Sequence, residues 1–188
     1  PTSPPKAQAA APPKAQAAAP PKGLGFDYGI QAHFIDQDHG PIINAIQGLG
    51  FRWTKQQIRW KDLEPSKGNI SWGEMDRLVN SCTAAGIKIL FSVVTAPQWA
   101  RPGNTDLNVD GPPSNPQDLV DFVAPLAERY KGRVQAYEIW NEQNLHYEWG
   151  NEPLDAGRYV QLLATAYRAI KGKDPGAIGP YGTREKSV

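Results

Sequence analysis

The chain has 188 residues, with 20 Lys and Arg against 19 Asp and Glu and a formal charge of +1, a length that suits one soluble globular domain. Lys6, Lys14 and Lys22 all lie in the first 22 residues, where there is no acid, so setting those three aside leaves 17 basic against 19 acidic residues. That balance is no footprint for nucleic acid or an anionic membrane. No apolar run approaches the ~20 residues that span a bilayer, and a lone Cys82 excludes an internal disulfide framework.

Residues 1–22 read "PTSPPKAQAAAPPKAQAAAPPK", with "PPKAQAAA" twice in tandem. Proline pairs fix φ and remove donors, and Ala, Lys and Gln offer little to bury, so this segment is expected to be a disordered, extended linker or an appended artificial segment. Linkers of this kind tether extracellular enzymes, which predicts an extracellular or cell-envelope protein. The folded domain is expected over 23–188.

In chain order, "GFDYGIQAHF" (25–34) predicts a first strand, and Ile42, Ile46 and Leu49 mark a helix from Asp38 to Leu49. "FRWTKQQIRW" (51–60) predicts a second strand. "SWGE" predicts a capping box in which Ser71 and Glu74 satisfy each other at the start of a helix that Gly86 ends. "IKILFSVVTAP" (87–97) is a continuous β-branched and apolar run, as in a strand buried on both faces. A loop over 98–114 leads to "SNPQD", where Pro116 takes the tolerated first position of a third helix that Pro125 should kink. "VQAYEIWN" (134–141) predicts a fourth strand, and Tyr159, Leu162, Leu163, Ala166, Tyr167 and Ile170 a fourth helix.

Strand and helix alternate four times, which argues for parallel strands joined by right-handed crossovers. A doubly wound sheet and a (β/α)8 barrel both fit. No G-x-G-x-x-G follows the first strand, which weighs against a nucleotide-binding sheet. In a barrel enzyme the site forms at the C-terminal ends of strands, and the unusual residues gather there: His33, Arg59 and Trp60, Thr95 to Trp99, and Asn141 to Asn144. Lys55, Gln57 and Arg59 alternate onto one face of strand two, a poor face to press against an apolar helix layer.

Each candidate carries two readings. Arg59 either faces the pocket or pairs with Asp62 or Glu64. Trp99 and Trp149 either stack on sugar rings or plug the core. The histidines His33, His39 and His146 lack metal-ligand spacing. Glu148 and Glu152 read as solvated loop carboxylates, and Glu138 as too deep in its strand to reach the rim. Glu142 either caps the next segment or does chemistry. Asn141 beside it offers an amide to a substrate hydroxyl, and the apolar strand before it predicts a desolvated carboxyl of raised pKa, as a general acid needs.

"GFRWTKQQIRWKDLEPSKGNISW" (50–72), "GIKILFSVVTAPQWARP" (86–102) and above all "YKGRVQAYEIWNEQNL" (130–145) resemble the clan A glycoside hydrolases, in particular cellulase-like and family 39-like members. The similarity runs over roughly 24–178. It implies an α/β fold, the N-terminal half of a (β/α)8 TIM barrel with about four βα units and the start of a fifth. It also implies that Glu142 is the acid/base, that Asn141 holds the sugar hydroxyl beside the reacting carbon, and that Arg59 lies near the nucleophile. His33, Trp99, Asn144 and Trp149 are implied more loosely as sugar contacts. Gln143 departs from the Pro of many members. A retaining mechanism needs a second carboxylate, which in this clan ends strand seven. The tail "AIGPYGTREKSV" is short of apolar residues, so the chain reads as truncated before that strand.

The expectation is therefore a retaining glycosidase of poly- or oligosaccharides, without cofactor or metal, inactive as these 188 residues alone. The alternative is a non-catalytic, carbohydrate-binding half-barrel. Self-association through open sheet edges is a further expectation.

Overall fold

The computed structural model describes residues 27–179; the linker expected over 1–22 and the polar tail after Gly179 lie outside them. The first strand, β1 (Gly29–Gln31), is shorter than its sequence suggests. Beyond Ala32, whose amide still reaches Lys55 O at 3.1 Å, the backbone leaves the ladder. The Phe34 amide instead donates to the Gln56 side chain at 2.8 Å.

The second element, α1 (His39–Gly48), starts on Asp38, whose carboxylate accepts from Gly40 N at 3.0 Å, the ordinary N-cap arrangement. Next come β2 (Trp53–Arg59), a single-turn α2 (Trp60–Leu63) and α3 (Gly73–Ala84). The expected Ser71–Glu74 capping box does not form. Trp72 occupies the N-cap with no side-chain bond. The Ser71 amide that Glu74 should reach is held by Leu63 O at 2.8 Å, and Glu74 instead pairs with Arg77 at 2.7 Å and takes the Asp36 amide at 3.1 Å. The helix does end at Gly86, which at φ +69 lets Ile87 N reach back to Cys82 O at 2.9 Å.

The buried run folds as β3 (Lys88–Val94), and α4 (Pro116–Arg129) opens on Asn115, whose side chain accepts from Gln117 N at 3.0 Å. Helix α4 continues through Pro125 to Arg129. The last two elements are β4 (Ala136–Ile139) and α5 (Ala156–Lys173). Leu162, Ala166 and Ile170 are the buried stripe of α5, while Tyr167, expected in it, is exposed.

All pairings are parallel, in the order β1-β2-β3-β4. A doubly wound sheet reverses its order at a switch point; this one never does, so successive right-handed crossovers keep the helices on one side. That outer side is the core. Ile58, Ile89, Phe91, Val93, Tyr137 and Ile139 are fully buried there. The inner side carries the row Gln57, Ser92 and Glu138, with Lys55 paired to Glu138 at 2.5 Å across the sheet. Ile178 adds one isolated parallel bridge to Ala136 at the β4 edge. The described residues are thus half of a barrel wall. No helix among them is long and apolar enough to cross a membrane.

Candidate active site

The C-terminal ends of the strands are where the backbone leaves its comfortable regions. Thr95 after β3 has φ +56, and Trp140 and Glu142 after β4 have φ +70 and φ +47. A β-branched residue and a tryptophan in the left-handed region each cost ~1–3 kcal/mol, and such outliers gather at functional sites. The strain is held by neighbours. Trp140 Nε1 donates to Glu148 O at 2.9 Å, and its ring meets Trp149 edge-on at 6.1 Å. Thr95 O accepts from Lys61 N at 3.0 Å. Glu142, three residues beyond the end of β4, is exposed. The desolvation expected for Glu142 is therefore not supplied by this part of the wall. The apolar residues Tyr137 and Ile139 face the helix layer instead.

Arg59 closes β2 about half exposed, with Asp62 at 3.7 Å and Asp110 at 3.5 Å. Asp110 also takes Lys61 Nζ at 3.2 Å, and its backbone oxygen accepts from Gly150 N at 2.7 Å. One aspartate thereby connects the segments after β2, β3 and β4. Glu64, the other partner proposed for Arg59, is buried. It accepts from Trp60 Nε1 at 2.5 Å and Gly68 N at 2.6 Å, fixing the "EPSKG" turn.

The carboxylate that burial does affect is Glu148. It is half-buried on the turn after Glu142, and its pKa is raised by desolvation and by the nearby charges of Asp110 and Glu142, with Arg59 opposing. The reading of Glu148 and Glu152 as solvated loop acids is corrected. Glu152 is ion-paired to Arg158 and has one carboxylate oxygen buried. Arg101, which sequence reasoning did not single out, is 8% exposed, and desolvation lowers its pKa. Its guanidinium holds the Val109 and Asp106 carbonyls and Thr105 Oγ1 at 2.7–2.8 Å, shaping the loop after β3.

The aromatic candidates separate. Trp149 is 1% exposed, edge-on to Trp140 and Tyr159 with the Arg158 guanidinium over its ring. A ring without an open face cannot stack on a sugar, so the stacking role expected of Trp149 is corrected to core packing. Trp99 is half-buried, donating to Glu64 O at 2.9 Å and packed edge-on against Trp60 at 5.6 Å. Trp53 and Trp72 are half-buried, and Trp60 and Trp140 are buried, so none of the six tryptophans is an exposed platform. His33 and Asn144 are exposed beyond β1 and β4, and Asn141 is half-buried between the two strained residues. Among the described residues no group of three or more His, Cys, Asp or Glu is gathered to hold a metal ion.

Residues 52–172 match the model of "Glycosyl hydrolase family 10". The endo-1,4-beta-xylanase 3 of Hypocrea jecorina is 28% identical over 150 residues, spanning 75% of this chain and 40% of the xylanase. Endo-1,4-beta-xylanase 1 of Arabidopsis thaliana is 27% identical over 127 residues, or 63% of this chain and 12% of its own length. The chain therefore spans less than half the length of these relatives. Among solved structures, a family 39 glycoside hydrolase from Bacteroides cellulosilyticus has a TM-score of 0.63 at 23% identity, covering 79% of this chain and 30% of that one. An endoxylanase of the family 10 type from a sugarcane soil metagenome gives 0.56 at 19%, covering 81% and 46%. At these identities the two structures show the fold, part of a TIM barrel.

Proposed function

The chain belongs to glycosyl hydrolase family 10, and from that premise we propose that it is the acid/base-bearing part of an endo-1,4-β-xylanase-type glycosidase. The observation that carries this reading is Glu142, an exposed carboxylate in a strained left-handed turn at the C-terminal end of β4, directly after Asn141.

In the proposed retaining reaction, protonated Glu142 gives its proton to the glycosidic oxygen as the bond to the anomeric carbon breaks. The resulting carboxylate then takes a proton from the water that releases the glycosyl-enzyme. Asn141 bonds the hydroxyl beside the reacting carbon, and Arg59, aligned by Asp110, offers positive charge at the rim. His33, Asn144 and the half-buried Trp99 are the remaining proposed sugar contacts. The partner carboxylate belongs to strand seven, and the described residues reach only an isolated bridge at the β4 edge. These 188 residues alone are therefore expected to hydrolyse no xylan. A polymeric substrate does not cross membranes, which supports a proposed place outside the cell or at its envelope. The alternative of a non-catalytic binding surface gains no support from tryptophans that are all at least half-buried.

The test joins this chain to strands five to eight of a family 10 xylanase. The hybrid barrel is expected to hydrolyse xylan, and Glu142→Gln to reduce the rate by about 10²–10⁴-fold, the usual contribution of a positioned acid/base. With a dinitrophenyl xylobioside, whose leaving group needs no proton, azide should restore turnover to the variant, because azide needs no base. Xylan hydrolysis by the Glu142→Gln hybrid at the parent rate refutes the assignment.

A further inference from the structure

Arg101 follows the short turn after β3 and is 8% exposed, too enclosed to meet a sugar. One Nη donates to Val109 O at 2.7 Å, the other to Thr105 Oγ1 and Asp106 O, each at 2.8 Å. Three acceptors spread in that way suit the planar fork of a guanidinium and not the point charge of a lysine. Two glycines close on the group. A Cβ on Gly111 would stand 2.5 Å from Arg101 Nη2 and 2.9 Å from Gly150 Cα, and one on Gly150 would stand 3.2 Å from the same nitrogen. Gly111 belongs to the segment after β3 and Gly150 to the one after β4, so the guanidinium fills the seam between them.

Asp110 is held from both sides of this seam. Val109 before it gives its carbonyl to Arg101. Gly111 after it packs on the guanidinium and gives its carbonyl to Ala96 N at 3.2 Å. With its backbone fixed, Asp110 works in two directions. Its carbonyl takes Gly150 N at 2.7 Å, and its carboxylate takes Lys61 Nζ at 3.2 Å and Arg59 Nη2 at 3.5 Å. Gly150 lies two residues beyond Glu148, whose carbonyl holds Trp140 Nε1 at 2.9 Å, and Trp140 lies two residues before Glu142.

We propose that Arg101 is a positioning residue for the site: it fixes Asp110, and through Asp110 it sets both the Arg59 side chain at the end of β2 and the loop that carries Glu142. The consequence for turnover rests on the reading of Glu142 as the acid/base; the placement of Asp110 does not. Arg101 reaches neither Arg59 nor Glu142 itself, so its effect on the reaction runs through Asp110.

Arg101→Lys keeps the charge and loses the fork. In the 188-residue chain, hydrogen exchange of the Gly150 amide is expected to rise about tenfold or more. The Gln135 amide, bonded to Ile89 O at 3.0 Å in the sheet, should keep its rate, whereas a general loss of stability speeds both. In the hybrid barrel, Arg101→Lys is expected to lower kcat/KM on xylan by about 10²-fold, the cost of misplacing a catalytic group by about 1 Å. At a temperature where circular dichroism shows every variant folded, adding Asp110→Asn to Arg101→Lys should cost nothing further, because residues acting along one path are not additive. If Arg101→Lys does not fold, Thr105→Val removes one acceptor, leaves the arginine, and should shift the same readings in the same direction. Unchanged Gly150 exchange, equal speeding of the Gly150 and Gln135 amides, or losses that add in the double variant overturn the proposal. A parent hybrid without activity counts against the reading of Glu142 instead, and Gly150 exchange then decides the placement of Asp110 by itself.

Discussion

Replacing Trp149 by alanine separates the two readings of that residue. The indole is 1% exposed, wedged between Trp140 and Tyr159 at ring distances of 6.1 and 6.3 Å, with the Arg158 guanidinium 5.5 Å from its centroid. Truncating a buried aromatic costs ~3–5 kcal/mol in lost transfer and cavity terms. That is a large part of a domain stability of ~5–15 kcal/mol. At a urea slope of about 2 kcal/mol/M it lowers the unfolding midpoint by roughly 1.5–2.5 M. Trp149→Phe keeps a ring in the wedge and discards an indole N–H that finds no partner among the described residues. Burying such a donor costs ~1–3 kcal/mol, so the phenylalanine variant is expected within about 1 kcal/mol of the parent. Urea unfolding followed by circular dichroism measures both, with a xylo-oligosaccharide titration alongside. An unchanged midpoint for Trp149→Ala together with lost sugar binding refutes the packing argument and restores the stacking one.

Two further outcomes follow from buried or paired groups. Cys82 lies on the apolar face of α3, where burial pushes its thiol up to about 12. It should stay unlabelled by a thiol reagent at mildly alkaline pH until denaturant is added, because only the thiolate reacts; rapid labelling of the folded protein contradicts this. Asp76 accepts from Arg129 at 2.8 and 2.6 Å and from the Tyr130 hydroxyl at 2.9 Å, and the guanidinium holds its carboxyl below the usual range. A depressed folded pKa contributes stability above the unfolded value of ~3.9, and that contribution fades as pH falls through the folded value. Asp76→Asn should therefore make the acid limb of stability shallower below about pH 4. Parallel limbs for parent and variant count against the pairing.

Much of the wall was legible in the chain because its signals are local. The apolar run of β3, the Asn115–Pro116 start of α4, the Asp38 cap of α1 and the stop at Gly86 all act within a few residues of themselves. The errors fall where two nearby partners competed for the same group and only the packing of the turn chose between them. The Ser71–Glu74 box lost its amide to Leu63, and Glu64 was drawn inward by Trp60 and Gly68. Asn141, Glu142 and Arg59 were legible as polar residues where strands stop, and they lie just beyond β4 and at the end of β2. Arg101 and Glu148 gave no such signal, since an arginine or glutamate inside a loop looks the same whether it is solvated or buried.

The amino-acid sequence by itself determined the alternation of strand and helix, because periodicity and capping are set by neighbouring residues. It also determined which carboxylate ends β4. Three matters were decided only in three dimensions. Strand order chose a barrel wall over a doubly wound sheet, since crossover handedness acts on whole βα units. The packing of Trp140 against Trp149 decided that an indole expected at the sugar lies in the core. The left-handed turns at Trp140 and Glu142 are likewise tertiary, held in a loop that Trp140 Nε1 ties to Glu148 O and Gly150 N ties to Asp110 O.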